Sequence, residues 1–219
     1  MYIVQLASEC APVIKAGGLG DVVYGLSREL EIRGHTVELI LPKYDCMRYD
    51  HIWGLHMAYQ DLFVPWYGGT IHCSVYCGWV HGQICFFIEP HSQDCFFDRG
   101  TVYGCNDDNM RFAFFSKAAL EFLLRTNKRP DIIHCHDWQT GLVPVMLYEI
   151  YQWHGMERQR VLYTIHNFKH QGIGGAEVLY ATSNSHFETF VLKSEPLKAC
   201  ALNFMNGRMG IPAIDSCSK

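Results

Sequence analysis

The sequence predicts an α/β fold in which helices flank a Rossmann-like parallel sheet. Apolar runs bounded by turn residues alternate with amphipathic segments along residues 1–182. The first 41 residues contain a strand, a glycine-rich loop, a helix and a second strand in that order. This order makes the two strands parallel, because the helix carries the chain back to the edge of the sheet where the first strand began.

The elements of this first unit are short and well bounded. Residues 2–7 form an apolar run typical of a buried strand, and residues 35–41 form a second run that ends at Pro42. Between them, apolar side chains repeat at helical spacing from Asp21 onward. Gly34 is placed to end that helix in a left-handed conformation.

The middle of the chain is less regular. Residues 70–77 and 83–89 predict the two strands of a hairpin, and a long loop follows as far as residue 106. An apolar stripe then predicts a helix over residues 107–126, with Asn106 or Asp107 as its N-cap.

Two further strand–helix repeats complete the predicted domain. A strand over residues 131–136, a helix over 140–152 and a strand over 161–166 continue the alternation. Beyond Thr182 no strong period remains, and we predict loose helix followed by a poorly ordered tail. Residues 1–182 are therefore assigned to the domain and residues 183–219 to a divergent tail.

Charge and hydropathy exclude several classes of protein. The chain has 18 Lys and Arg against 22 Asp and Glu, so it lacks the basic excess that nucleic-acid binding requires. No apolar run approaches the ~20 residues that span a bilayer. The first residues lack the basic stretch of a signal or transit peptide, so we expect a cytoplasmic protein, or a stromal one in a plant or alga. Its ten cysteines are then expected to be reduced thiols.

Polar or glycine-rich residues follow the predicted parallel strands at the point where each strand ends. Ligands of open α/β sheets bind outside these carboxyl ends, so the groups should converge on one rim. The groups are Ser8 and Glu9, residues 15–18, residues 134–139, and His166 with Asn167.

The loop Lys15-Ala-Gly-Gly-Leu-Gly-Asp21 indicates an anion site. Glycines let backbone amides approach a phosphate closely, the following helix directs its positive end to the same point, and Lys15 adds a full charge. The alternative is a tight turn whose glycines serve packing alone.

Three histidines and an aspartate near the predicted rim allow more than one role. His134 and His136 face the same side of a strand, and without a second Cys/His pair at matching spacing a metal site is disfavoured against a core histidine. Asp137 suits a helix N-cap or an acceptor for a sugar hydroxyl. His166 and Asn167 suit hydroxyl binding or the anchoring of a loop.

Several motifs together resemble a known family. Ser8-Glu9-Cys-Ala-Pro12 and the Lys15 loop are similar to the amino terminus of bacterial glycogen synthases and plant starch synthases, which use ADP-glucose. The similarity continues in the same order through Asp107-Asp-Asn-Met-Arg-Phe-Ala-Phe-Phe115, His134-Cys-His-Asp-Trp-Gln139, Thr164-Ile-His-Asn167 and Gln171-Gly172. The middle region most resembles the branch that includes cyanobacterial enzymes.

The resemblance implies the amino-terminal lobe of a two-lobe, GT-B type glycosyltransferase. Such an enzyme transfers glucose from ADP-glucose to the non-reducing end of an α-1,4-glucan with retention, and uses no essential metal or other cofactor. It implies that Lys15 contacts the donor phosphates, that His166 contacts the transferred glucose near its anomeric carbon, and that Asp137 and Asn167 position hydroxyls. The remaining expected substrate-binding residues are Gly17, Gly18, Asp21 and Gln171.

The end of the sequence departs from the family pattern. Ala201-Leu-Asn-Phe-Met-Asn-Gly207 keeps part of a family motif, and residues 208–219 do not continue it. The family's second lobe, which carries a basic pair and a key glutamate, does not follow. We therefore expect a chain that is inactive alone and acts with a separate carboxy-terminal lobe. The alternative is a catalytically silent glucan-binding or regulatory module.

Overall fold

The structure is a computed structural model that describes residues 1–175 and 177–182, and the backbone of residues 201–203 and 208–209. Seven strands of the described residues form the main sheet: β1 Tyr2–Leu6, β2 Thr36–Pro42, β3 Trp53–Trp66, β4 Gly69–Val80, β5 Gln83–Pro90, β6 Ile132–His136 and β7 Arg160–Thr164. Their order across the sheet is β3-β4-β5-β2-β1-β6-β7.

Five adjacent strands of this sheet, from β5 to β7, pair in parallel. The sequence predicts this for β1, β2, β6 and β7, whereas β5 was predicted only as a strand of the hairpin. Strand β1 lies inside this group, between β2 and β6, and its residues Val4 to Leu6 are fully buried. Apolar side chains cover most of these strands because both faces are packed, which is typical of parallel sheets.

The other side of the sheet is antiparallel, so the sheet is mixed rather than wholly parallel. The predicted hairpin is present as β4 and β5, and β3 pairs with β4 as a further, edge strand that the sequence reading missed. Three register irregularities interrupt the pairing of β3 with β4, and they break the alternation by which a strand is recognised. At Gly78 of β4 the residue before β3 lies so close that a Cβ would be 2.4 Å from Cγ2 of Ile52.

Four helices are described: α1 Leu19–Ile32, α2 Asp108–Arg125, α3 Leu142–Glu149 and α4 Glu177–Ala181. The predicted helix over residues 140–152 is shorter, because 3₁₀ turns at Trp138–Thr140 and Tyr151–His154 flank α3. Helix α2 begins one residue later than predicted. Asp107 occupies its N-cap position but makes no capping hydrogen bond, since its carboxylate pairs with Arg99.

Only short backbone segments of the region beyond Thr182 are described. Three strands form a small antiparallel sheet: β8 Ile173–Gly175, β9 Ala201–Asn203 and β10 Arg208–Met209. The loose helix and tail predicted for residues 183–219 otherwise lie outside the described residues. Among the helices that the structure describes, none has the length and apolar character needed to cross a membrane.

A buried lysine holds the end of α4 against α2. Lys117 is 2% exposed, and its Nζ donates a 2.6 Å hydrogen bond to the carbonyl of Thr182, the residue after α4. The last carbonyls of a helix lack partners within the helix, so a cation there is favourable. Burial nevertheless disfavours the ammonium form and lowers the pKa of Lys117 to about 8, although the carboxylate of Glu121 opposes this shift.

We expect Lys117→Met to reveal this burial cost through pH. Between about pH 8 and pH 10.5 the unfolded chain binds the proton that the folded chain has lost, so the wild type gains stability relative to the variant as pH rises. The gain is at most about 3 kcal/mol. Urea unfolding at pH 7.5 and pH 10 measures it. Lys169→Met, which removes an exposed lysine, is the control; an equal pH effect in both variants would contradict the assignment.

Candidate active site

A cleft of about 710 Å³ opens at the carboxyl ends of β1, β6 and β7, where the sequence places the polar rim. It is the meeting point of the glycine-rich loop, the loop after β6, the loop after β7 and the start of α2. Five of the eight predicted site residues line it: Gly17, Gly18, Asp137, His166 and Asn167.

The glycine-rich loop wraps around a buried carboxylate. Oε2 of Glu9 accepts hydrogen bonds from the amides of Ala16, at 2.5 Å, and Gly17, at 2.8 Å, and Oε1 accepts the hydroxyl proton of Tyr103. Two loop amides are thus already occupied within the protein. Helix α1 begins immediately afterwards at Leu19, and no side chain caps its amino terminus.

Lys15 and Asp21 lie outside the cleft. Their side chains form a 2.7 Å ion pair, in which each is about half exposed, and they line a separate depression of about 440 Å³ next to Cys46 and Arg48. Gln171 also does not line the cleft; its amide nitrogen donates to the carbonyl of Phe168 at 3.1 Å. The structure therefore brings together five predicted residues and leaves these three apart.

Asp137 joins the ends of β6 and β7. Its Oδ1 accepts the amide protons of His166, at 2.6 Å, and Asn167, at 3.3 Å, and its own amide donates to the Thr164 carbonyl. Its backbone has φ 56° and ψ −176°, a conformation that costs a residue with a side chain about 1–3 kcal/mol. The surrounding hydrogen bonds hold this strained and largely buried residue in the wall of the cleft.

The two histidines of β6 are buried and stack on each other, with ring centroids 4.2 Å apart. His134 bonds the Thr164 hydroxyl at 2.8 Å, and Nδ1 of His136 lies 2.9 Å from Nε2 of His166. Burial, followed by the neighbouring imidazoles, lowers the pKa of His134 to about 4 and that of His136 to about 2. Both rings are therefore neutral at physiological pH.

Three polar residues in or behind the cleft were not among the predicted site residues. Tyr103 lies in the predicted long loop and Asp108 at the start of the predicted helix, and both line the cleft. Gln5, part of a predicted apolar strand, does not line the cleft and connects to His166 through His136. Asp108 accepts the backbone amides of the loop before α2 and pairs with Arg111 at 2.8 Å. A polar residue inside a buried strand is the one signal by which Gln5 could have been found.

The cleft is acidic on the side formed by this chain. Its ionisable lining consists of three carboxylates, two imidazoles and the phenol of Tyr103, and the described residues that line it include neither lysine nor arginine. Carboxylates and imidazoles bind sugar hydroxyls well, whereas a diphosphate requires cations. The arrangement favours a ligand whose polyol part faces Asp137 and His166 and whose anionic part is neutralised by a mobile or additional cation.

Comparison with known proteins gives consistent results. Residues 2–215 match the family model described as starch synthase catalytic domain. Glycogen synthase 1 of Synechococcus sp. (strain JA-3-3Ab) is 75% identical over 213 residues, and glycogen synthase 1 of Trichormus variabilis is 74% identical over 211; each alignment covers 94% of this chain and 43% of the relative. The chain thus spans less than half the length of these curated relatives.

A solved structure matches the fold as well. The catalytic domain of starch synthase IV from Arabidopsis thaliana, bound to ADP and acarbose, superposes with a TM-score of 0.81 at 46% identity, over 83% of this chain and 37% of that one. The match confirms the predicted GT-B type, Rossmann-like fold, with the correction that the edge of the sheet is antiparallel.

We expect Asp137→Gly to be more stable than Asp137→Ala. Both variants lose the carboxylate, but glycine adopts φ 56° without strain. The free energy of unfolding of the alanine variant should therefore be about 1–2 kcal/mol lower than that of the glycine variant. Urea unfolding measures the difference. Asp131, which precedes β6 and bonds the Tyr2 amide, provides the matched pair: there glycine should be the less stable substitution. The same order at both positions would contradict the assigned strain.

Proposed function

Because this chain belongs to the starch synthase catalytic-domain family, we propose that it supplies the first lobe of an ADP-glucose-dependent glucan synthase. The reaction transfers glucose from ADP-glucose to the non-reducing end of an α-1,4-glucan and retains the anomeric configuration. The observation that carries the proposal is the composition of one cleft wall, which combines an uncapped helix amino terminus with Asp137, His166 and Asn167. The helix terminus suits the phosphates of a sugar nucleotide, and the three side chains suit its sugar.

The glycines of the loop support a phosphate at the amino terminus of α1. A Cβ on Gly18 would meet no protein atom within 4 Å, and one on Gly17 would meet only Glu9 at 4.0 Å. Packing within the chain therefore does not require glycine at either position. Both residues line the cleft, so the space that a side chain would occupy is available to the ligand.

Lys15 is suited to neutralise the phosphates once it leaves Asp21. An exposed ion pair contributes at most about 1 kcal/mol, so a doubly charged diphosphate competes readily for the ammonium group. As ADP departs, negative charge grows on its terminal phosphate, and a cation placed there stabilises the transition state.

The sugar end of the donor faces the loops after β6 and β7. The carboxylate of Asp137 accepts hydrogen bonds from sugar hydroxyls, the amide of Asn167 both donates and accepts, and the His166 ring lies beside them near the anomeric carbon. The backbone amides that hold Asp137 fix the position of its carboxylate before the sugar binds. Such preorganisation lowers the cost of orienting the donor.

The bond changes of the proposed step balance without a metal or redox partner. The C1–O bond of the glucosyl phosphate breaks, and its electron pair leaves with ADP. The 4-hydroxyl oxygen of the acceptor glucan bonds to C1 on the face that the phosphate leaves, and its proton passes to the departing phosphate oxygen. His166 and Asp137 orient the donor throughout.

The cations that a complete diphosphate site needs come from residues outside this lobe. The cleft wall formed here lacks cations among its described lining residues, and the chain spans 43% of each of the two glycogen synthases compared above. We therefore infer that a second lobe supplies the basic groups that complete the diphosphate site. The partners of the chain are then ADP-glucose, an α-1,4-glucan and that second lobe.

The first test is incorporation of labelled glucose from ADP-glucose into glycogen. The 219-residue chain should transfer no glucose alone and should transfer it when the carboxy-terminal part of the Synechococcus relative is added. In that mixture Lys15→Ala should reduce the rate about a hundredfold, because a cation beside the leaving group is lost. Arg33→Ala, which removes an exposed cation at the opposite end of α1, should leave the rate unchanged.

Two outcomes would redirect the proposal. Transfer by the chain alone that Lys15→Ala abolishes would show that one lobe suffices, and the inference about the second lobe would be wrong. Retention of the chain on glycogen without transfer in any mixture would favour a glucan-binding or regulatory module.

A second prediction separates ligand binding from packing at the glycine loop. Gly18→Ala should preserve stability within about 0.5 kcal/mol, since the space is open and φ is −73°, but should weaken donor use at least tenfold in the complemented assay. Gly25→Ala is the matched control, because a Cβ there also meets nothing within 4 Å and the residue lies on α1 away from the cleft. Equal activity of the two variants would refute a ligand at Gly18.

A further inference from the structure

A buried chain of hydrogen bonds leads from α1 into the central sheet. The Ser27 hydroxyl donates to the carbonyl of Val23 at 2.8 Å and accepts from Nε2 of Gln5 at 2.9 Å. Oε1 of Gln5 lies 2.9 Å from Nε2 of His136. Gln5, Ser27 and His136 are all fully buried, so no water competes for these bonds.

This series of hydrogen bonds ends at the cleft, on His166. Nε2 of His166 lies 2.9 Å from Nδ1 of His136, with ring centroids 5.2 Å apart and ring planes 18° apart. That centroid separation is reached only when both nitrogens lie on the line joining the rings. The two imidazoles therefore lie nearly in one plane, edge to edge, as a strong N–H···N hydrogen bond requires.

The donor and the acceptor of each hydrogen bond in this series follow from the bond that Ser27 makes. The Ser27 hydroxyl donates its hydrogen bond to the Val23 carbonyl, so its oxygen accepts a hydrogen bond from the Gln5 amide nitrogen. Gln5 then presents its carbonyl oxygen to His136, which must carry its proton on Nε2. A neutral His136 has a lone pair on Nδ1, and only a protonated Nε2 of His166 can pair with it.

A second proton on His136 would turn Nδ1 into a donor, but the ring does not take one at physiological pH. Burial, with the imidazoles of His134 and His166 beside it, lowers the pKa of His136 to about 2. The ring thus carries one proton across the physiological pH range, and its two nitrogens keep opposite roles.

We propose that Gln5 and His136 are positioning residues that hold His166 as its Nε2–H tautomer, with Nδ1 left as a hydrogen-bond acceptor toward the cleft. Neither residue lines the cleft, so both act through His166. The catalytic consequence rests on the proposed function: Nδ1 accepts a hydrogen bond from a hydroxyl of the donor sugar, and the fixed ring orients that sugar.

Nuclear magnetic resonance of the unliganded 219-residue chain, labelled with ¹⁵N-histidine, tests the proposal independently of transfer. Long-range ¹H–¹⁵N correlations distinguish a protonated Nε2 from a protonated Nδ1, and the signal lost in His166→Gln identifies the residue. At pH 8 we expect His166 to carry its proton on Nε2. A proton on Nδ1 would overturn the proposal, whether or not the chain proves to be part of a glucan synthase.

Two substitutions test the role of Gln5. Gln5→Glu keeps an acceptor for His136, so the His166 signal should remain that of the Nε2–H tautomer. Gln5→Leu removes the acceptor and should give a mixture of tautomers at His166; an unchanged signal would overturn the role of Gln5. Gln83→Leu, at another buried glutamine, is the matched control and should leave the signal unchanged. If Gln5→Leu does not fold, the wild type and Gln5→Glu still decide.

Discussion

Parallel pairing of β1 with β2 on one side and β6 on the other is the constraint on which the cleft depends. Parallel strands end at the same edge of a sheet, so Glu9 after β1, Asp137 after β6 and His166 after β7 meet although they are far apart in the sequence. An antiparallel order would send alternate loops to opposite edges. The antiparallel strands β3 and β4 are accordingly confined to one side of the sheet, away from β6 and β7.

Asp137 converts this shared edge into a rigid site. Its left-handed backbone is unfavourable in isolation and persists because its carboxylate takes two amides of the following strand's loop. Glu9 does the same for the glycine loop, where it occupies the Ala16 and Gly17 amides. In both loops a buried or nearly buried carboxylate replaces the regular hydrogen bonds that a strand or helix would supply.

Buried polar side chains continue the hydrogen-bond network from the cleft into the centre of the sheet. Gln5 and His136 lie on neighbouring central strands where apolar side chains would pack with less cost, and every side-chain nitrogen and oxygen of the two has a hydrogen-bond partner. A satisfied polar network of this kind specifies one arrangement, since any rotated amide or shifted proton leaves a buried group unpaired. Places where the local pattern is broken in this way tend to be functional.

The sequence by itself determined the parallel core, the Asp108–Arg125 helix to within a residue at each end, and five residues of the cleft, because strand ends and apolar periods are local features. Strand β3 escaped detection because its bulges interrupt that period. Tertiary structure alone decided that Lys15 and Asp21 pair outside the cleft, that Glu9 fills two loop amides and that His136 reaches His166. These contacts depend on side-chain directions and on distances between segments remote in sequence, which no local pattern encodes.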